Sequence, residues 1–136
     1  MPSFGRLSFG IETLALLPVA PDTDDAGVES QLLATARAGD FFLHVNGGGF
    51  HDARPAESES GWRASFLAER QTGPFRPGVE IFSKQVEDAP VQVSAGAGII
   101  AAAGPVELRV GMEAGITNEA PDLRFNLWIA RKFPLR

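Results

Sequence analysis

An antiparallel, up-and-down β-barrel of about eight strands is the fold class this sequence predicts, on three observations. Apolar and polar residues alternate along one segment after another, as in Leu7, Phe9 and Ile11 against Arg6, Ser8, Gly10 and Glu12. Connections are alternately long and short: Pro18 to Gly27 then Gly39-Asp40, His51 to Gly61 then Gly73-Pro74. Proline punctuates the boundaries at Pro18, Pro21, Pro55, Pro74, Pro90, Pro105 and Pro121, where a missing N–H costs least.

The alternation predicts a first strand over Phe4–Leu17, stopped by Pro18 and an acidic loop. In the second, Val28–Ala38, the residues Val28, Leu32, Leu33 and Ala36 also fit one helical face with Gly39 as a C-cap. A helix there would break the up-down order, so strand is the reading. The third, Phe41–Phe50, runs through Gly47-Gly48-Gly49, which is no phosphate loop because neither a helix start nor a lysine follows. Trp62–Gln71 and Phe75–Gln85 flank the turn at Gly73-Pro74, with Pro77 weakening the start of the fifth strand. Val91–Ala102, Val106–Ile116 and Leu123–Phe133 complete the set. Most are near the roughly 9 to 11 residues a tilted strand needs to cross a bilayer. No linker or charge block divides the 136 residues, so the chain reads as one barrel domain or as the C-terminal part of a longer barrel.

Each strand sorts into two faces. One carries Leu7, Phe9, Ile11; Leu32, Ala34; Phe41, Leu43, Val45; Trp62, Phe66; Val79, Ile81; Val93, Ala97, Ile99; Leu108, Val110, Met112; Phe125, Leu127 and Ile129. Its only cations, Arg70 and Arg131, fall near the short-turn ends, where a long side chain snorkels to water. The opposite face carries charges on nearly every strand, together with Gly10, Gly48, Gly96, Gly98, Gly111 and Gly115. A soluble barrel turns the apolar set inward and a membrane barrel turns it outward. Glycines weaken a solvent-facing strand surface but make room inside a narrow barrel, and mixed arginine and glutamate can pair across a lumen. Both features favour a transmembrane barrel, with the short turns and both termini on the periplasmic side. Tyrosine is absent, so Phe41, Trp62, Phe75 and Phe133 would supply the aromatic girdles.

Bulk composition narrows the rest. With no cysteine, disulfides and thiolate metal sites are excluded. A net charge of −5 argues against nucleic acid as a partner. The longest apolar run, Ala95 to Ala103, is too short for a membrane helix. Met1 to Arg6 does not read as a signal peptide, so an exported protein would have lost its signal or be the later part of something longer.

Phe42-Leu43-His44-Val45-Asn46-Gly47-Gly48-Gly49-Phe50 resembles the "lhlNlGy" strand of the outer-membrane barrel family named after the meta-pathway of phenol degradation. Phe9 to Pro18, Phe75 to Lys84 with Glu80, Val93 to Ala101 and Val106 to Asp122 resemble further family strands in order. Leu123 to Phe133 looks like an outer-membrane terminal strand with its late aromatic. The motifs are loose but span nearly the whole chain. Two departures stand out: the loop after Pro18 lacks the family's Thr-Gly, and Pro134-Leu135-Arg136 extend past the terminal aromatic. The family is also longer, with strands before this point. The resemblance implies an outer-membrane barrel for passive transport of small organic molecules, with outer-membrane lipid and the barrel-assembly machinery as partners. It carries over no catalytic residues.

The lumen-lining candidates are Glu12, Arg37, His44, Asn46, Arg63, Glu69, Arg76, Glu80, Glu107, Arg109, Glu113 and Arg124. They line a path for polar solutes, or they form an ion-pair network that fills the interior, because a barrel of about eight strands holds side chains and little else. For a closed barrel of that size the filling network is the expectation; additional strands would restore a path. His44 with Ser65 and Glu69 on one face would allow nucleophilic catalysis in principle, but no tight motif supports it. The loop carboxylates Asp22, Asp24, Asp25, Asp52, Glu57, Glu59, Glu87, Asp88, Glu119 and Asp122 match no calcium-loop spacing and read as solvated tips. No cofactor or metal is expected. The expected function is non-enzymatic, porin-like or transport-associated, in the outer membrane; the alternative is a soluble barrel holding an apolar ligand inside. A partial barrel would close by oligomerising, since open edges are not tolerated in lipid.

Overall fold

The computed structural model describes residues 5–17, 25–54 and 58–131. Among them one sheet of eight antiparallel strands runs in chain order: β1 (Arg6–Leu16), β2 (Gly27–Ala38), β3 (Phe41–Asp52), β4 (Glu59–Arg70), β5 (Phe75–Val86), β6 (Gln92–Ala103), β7 (Val106–Gly115) and β8 (Leu123–Arg131). The expected strand ends at Phe4 and Phe133, most of the loop after Leu17, Pro55, Glu57 and the side chain of Arg131 lie outside the described residues. The segment with a helical alternative is strand throughout, paired on both sides from Gly27 to Arg37. β3 and β4 run further toward their loop than the alternation predicts, because His51 and Asp52 still pair with Ser60 and Glu59 through the backbone.

Each of the three tight connections is a two-residue turn opening on glycine: Gly39-Asp40, Gly73-Pro74 and Gly104-Pro105. The φ values of Gly39, Gly73 and Gly104 are 61°, 59° and 59°. A positive φ at the first turn position matches the right-handed twist of the flanking strands and suits glycine alone. Pro77 is tolerated for a separate reason. The β4–β5 ladder begins only at Glu69 opposite Gly78, so Pro77 pairs with Ile99 of β6 and faces no β4 partner.

Burial separates the two faces. The row Phe9–Ala34–Val45–Phe66–Ile81–Ala95–Ala114–Leu123, one residue from each strand, lies wholly on the apolar side. Phe9 is 77 % exposed and Phe125 73 %. The enclosed face is the charged one: Glu29, Glu69 and Glu107 are buried, whereas the buried apolar residues among those described are Phe50 and Ala120. The sheet is therefore inside-out relative to a water-soluble β-protein, whose apolar face packs into a core.

The strands are also staggered. The row above starts three residues from the short-turn end of β1, at Phe9 against Arg6, and reaches β8 eight residues from that end, at Leu123 against Arg131. The shift is five residues at these ends and seven at the opposite ends, over seven strand-to-strand steps. At about 3.3 Å per residue and about 4.8 Å per step this is a tilt of roughly 30°. Barrels have tilts somewhat above this, and a flat sheet has none.

Closure is the point at which structure and expectation part. The sheet ends in two free edges, β1 and β8, which are not paired with each other. Phe42, Phe50, Phe82 and Trp128 share the face of the charged residues.

Candidate functional site

Period-two geometry puts every expected lumen residue on the enclosed side, and cross-strand register decides which of them meet. Glu69 on β4 is the hub. His44 of β3 faces Leu67 directly, and its Nε2 reaches diagonally to Glu69 Oε2 at 3.1 Å. Its Nδ1 lies 2.9 Å from Thr35 Oγ1 on β2. Arg76 Nε comes within 2.9 Å of Glu69 Oε2, close enough for ion pairing but without its N–H aimed at the oxygen. Phe42 organises the same region: the Arg37 and Arg76 guanidinium groups sit 5.1 and 5.5 Å from its ring, and His44 stacks on it at 6.3 Å.

A second cluster lies toward the long loops. Arg63 Nη1 donates to Glu29 Oε2 at 2.7 Å, and both Arg63 and Lys84 lie over the Phe50 ring, at 5.0 and 4.9 Å. On β7, Arg109 donates Nε and Nη2 to Glu107 Oε1 at 2.9 and 2.6 Å. Glu113 accepts from Arg124 Nη1 at 3.2 Å and from Asn126 Nδ2 at 3.1 Å. Asn46 donates to Ser65 Oγ at 3.2 Å. Glu12 is not brought to any cation among the described residues, and Arg37 turns back to the carbonyl of Gly39 at 3.0 Å.

The His44–Ser65–Glu69 grouping does not form. Both ring nitrogens of His44 are engaged by Thr35 and Glu69, and Ser65 is taken by Asn46. What results is a hydroxyl–imidazole–carboxylate chain whose carboxylate is shared with an arginine, an arrangement that fixes side chains and balances charge across three strands. Among the described residues no group of three or more acidic or histidine side chains is placed to hold a metal. No described helix is long and apolar enough to cross a membrane, which says nothing of strands.

A cleft of about 370 Å³ opens on this face between β4 and β8, with Glu69, Arg76, Glu80, Arg109, Glu113 and Trp128 among its walls. Glu29 falls on the charged face by its parity but is not among the expected lumen residues, and neither Thr35 nor the four inward aromatics are among the expected partners. The signal was present: Phe42 has the parity of His44 and Asn46, and Trp128 that of Arg124 and Asn126. Comparison with protein-family models, curated proteins and solved structures finds no match to this chain.

Proposed function

We propose that this chain is an outer-membrane β-barrel segment, non-enzymatic, that lines a passage for small organic molecules. The observation that carries the reading is the inversion of faces. Large apolar side chains such as Phe9, Ile11 and Leu127 stand outward and exposed, while Glu29, Glu69 and Glu107 are enclosed. In water such an apolar band is a liability, and in a bilayer it is the surface that meets the acyl chains. The alternative of a soluble barrel around an apolar ligand requires the opposite arrangement. Long connections on one rim and two-residue turns on the other, with the stagger near 30°, support the same reading.

Free edges in lipid leave backbone N–H and C=O groups unsatisfied at several kcal/mol each, so β1 and β8 must be paired in the working assembly. They run antiparallel to each other, so β8 can receive β1 of the same chain, β1 of a second copy, or further strands. Closure wider than eight strands would leave an aqueous path. The test is refolding into detergent micelles followed by gel mobility with and without boiling, then conductance in a planar bilayer. A heat-dependent shift with strand circular dichroism only in detergent supports the reading; folding in plain buffer sinks it.

A further inference from the structure

Register sets three glycines side by side across the middle of the charged face: Gly78 opposite Gly98, and Gly98 opposite Gly111. Two residues toward the short turns stands the row Arg76, Ile100, Arg109 and Trp128. Two residues toward the long loops stands the row Glu80, Gly96, Glu113 and Arg124, the last two ion-paired at 3.2 Å. The cleft thus has a floor without side chains between two charged rows: Arg76 and Arg109, paired with Glu69 and Glu107, on one side, and Glu80 with the Glu113–Arg124 pair on the other.

Packing alone explains part of this floor. A Cβ on Gly78 would lie 2.9 Å from Glu69 Cγ, and one on Gly98 2.8 Å from the Val110 carbonyl. Gly111 is different: its nearest neighbours would be at 3.5 and 3.7 Å, an ordinary contact, so its neighbours do not demand glycine. The walls also hold spare capacity. Arg109 spends Nε and Nη2 on a single oxygen of Glu107 and is half exposed. Glu80 makes no ion pair among the described residues; its hydrogen-bond partner is Ser65.

We propose that this trough binds a small, flat zwitterion, with its carboxylate on Arg109, its ammonium on the Glu80 wall and its ring over Gly98 and Gly111 beside Trp128. The proposal rests on the charged face being the lumen and names the solute class for it. The two wall rows are four residues apart, roughly 13 Å between Cα positions, a span that the wall side chains and a short solute share. A solute with one charge leaves the group at its other end without a partner, which is how the trough discriminates.

The test uses the full chain carrying Trp62→Phe, so that Trp128 alone reports, in whichever medium yields strand circular dichroism. 4-(Aminomethyl)benzoate is titrated against Trp128 fluorescence, with benzoate and benzylamine as single-charge controls. The expected result is a saturable change, with both controls at least about tenfold weaker. Gly111→Leu fills the floor and should abolish the signal with the circular dichroism unchanged; Gly111→Ala, which adds only an ordinary contact, should weaken it. Equal binding of all three probes, no saturable signal, or indifference to both Gly111 substitutions overturns the proposal. Zwitterion binding by protein that folds in plain buffer would keep the trough and remove the membrane reading.

Discussion

Val110→Arg puts a number on the claim that the apolar face meets lipid. Val110 is the fifth residue of the ten in β7, flanked by Ile99 and Leu127 on the outward face, and it is 47 % exposed. With lipid outside, an arginine at mid-strand lies near the bilayer midplane and costs roughly 2–4 kcal/mol, whereas near the interface it costs about 0–1 kcal/mol. Val106, the first residue of the same strand and also exposed, supplies that interfacial control. With water outside, both substitutions fall on a solvated surface, and each shifts stability by about 0.5 kcal/mol or less. The assay is urea unfolding of the protein in phospholipid vesicles, followed by tryptophan fluorescence and the heat-dependent gel shift. Roughly 2–4 kcal/mol is a 30- to 1,000-fold change in the unfolding constant, so the two cases do not overlap. Equal, small effects at Val110 and Val106 would mean that this face does not meet lipid.

Glu69→Ala removes the acceptor shared by His44 and Arg76 and leaves Arg76 facing a charge deficit; a loss of about 3 kcal/mol in the same urea titration is expected, at the low end for a buried pair because both partners are partly solvated. Glu113→Gln, whose partner Arg124 is largely exposed, should cost less than about 1 kcal/mol. Gly104→Ala meets no atom within 4 Å yet must hold a positive φ, so it should destabilise by roughly 1–2 kcal/mol through the backbone alone. In contrast, Gly48→Ala drives a methyl into the Ser30 carbonyl and should prevent β2–β3 pairing, read as loss of strand circular dichroism.

Much of the fold is legible in the residues because its signals are local. Alternation from Leu7 to Ile11 or from Phe41 to Asn46 needs no tertiary information, and the Gly-initiated turns at Gly39, Gly73 and Gly104 are written in dipeptides. Which face is enclosed is not legible in the alternation, because a period of two is symmetric; the glycines and mixed charges of one face point to it, and the burial of Glu29, Glu69 and Glu107 agrees. Partner choice is hidden for a related reason. Sliding a strand by two residues preserves its faces but changes every pair. The actual register puts Ser65 opposite Asn46, which takes it, and leaves His44 between Ser65 and Glu69, where it chooses the carboxylate. The glycines of the trough were visible one by one, but their alignment depends on the same register. Phe42, Phe50, Phe82 and Trp128 were obscured because apolar residues invite assignment to the apolar face, although their parity places them with the charges.

The two tryptophans stand on opposite faces, Trp62 outward on β4 and Trp128 inward on β8. Quenching by phospholipids brominated high on the acyl chain therefore reports which face meets lipid, using Trp62→Phe and Trp128→Phe to isolate each emitter. With the apolar face in the bilayer, Trp62 is quenched strongly and Trp128 little. Quenching of Trp128 with Trp62 untouched, or of neither, would contradict that placement.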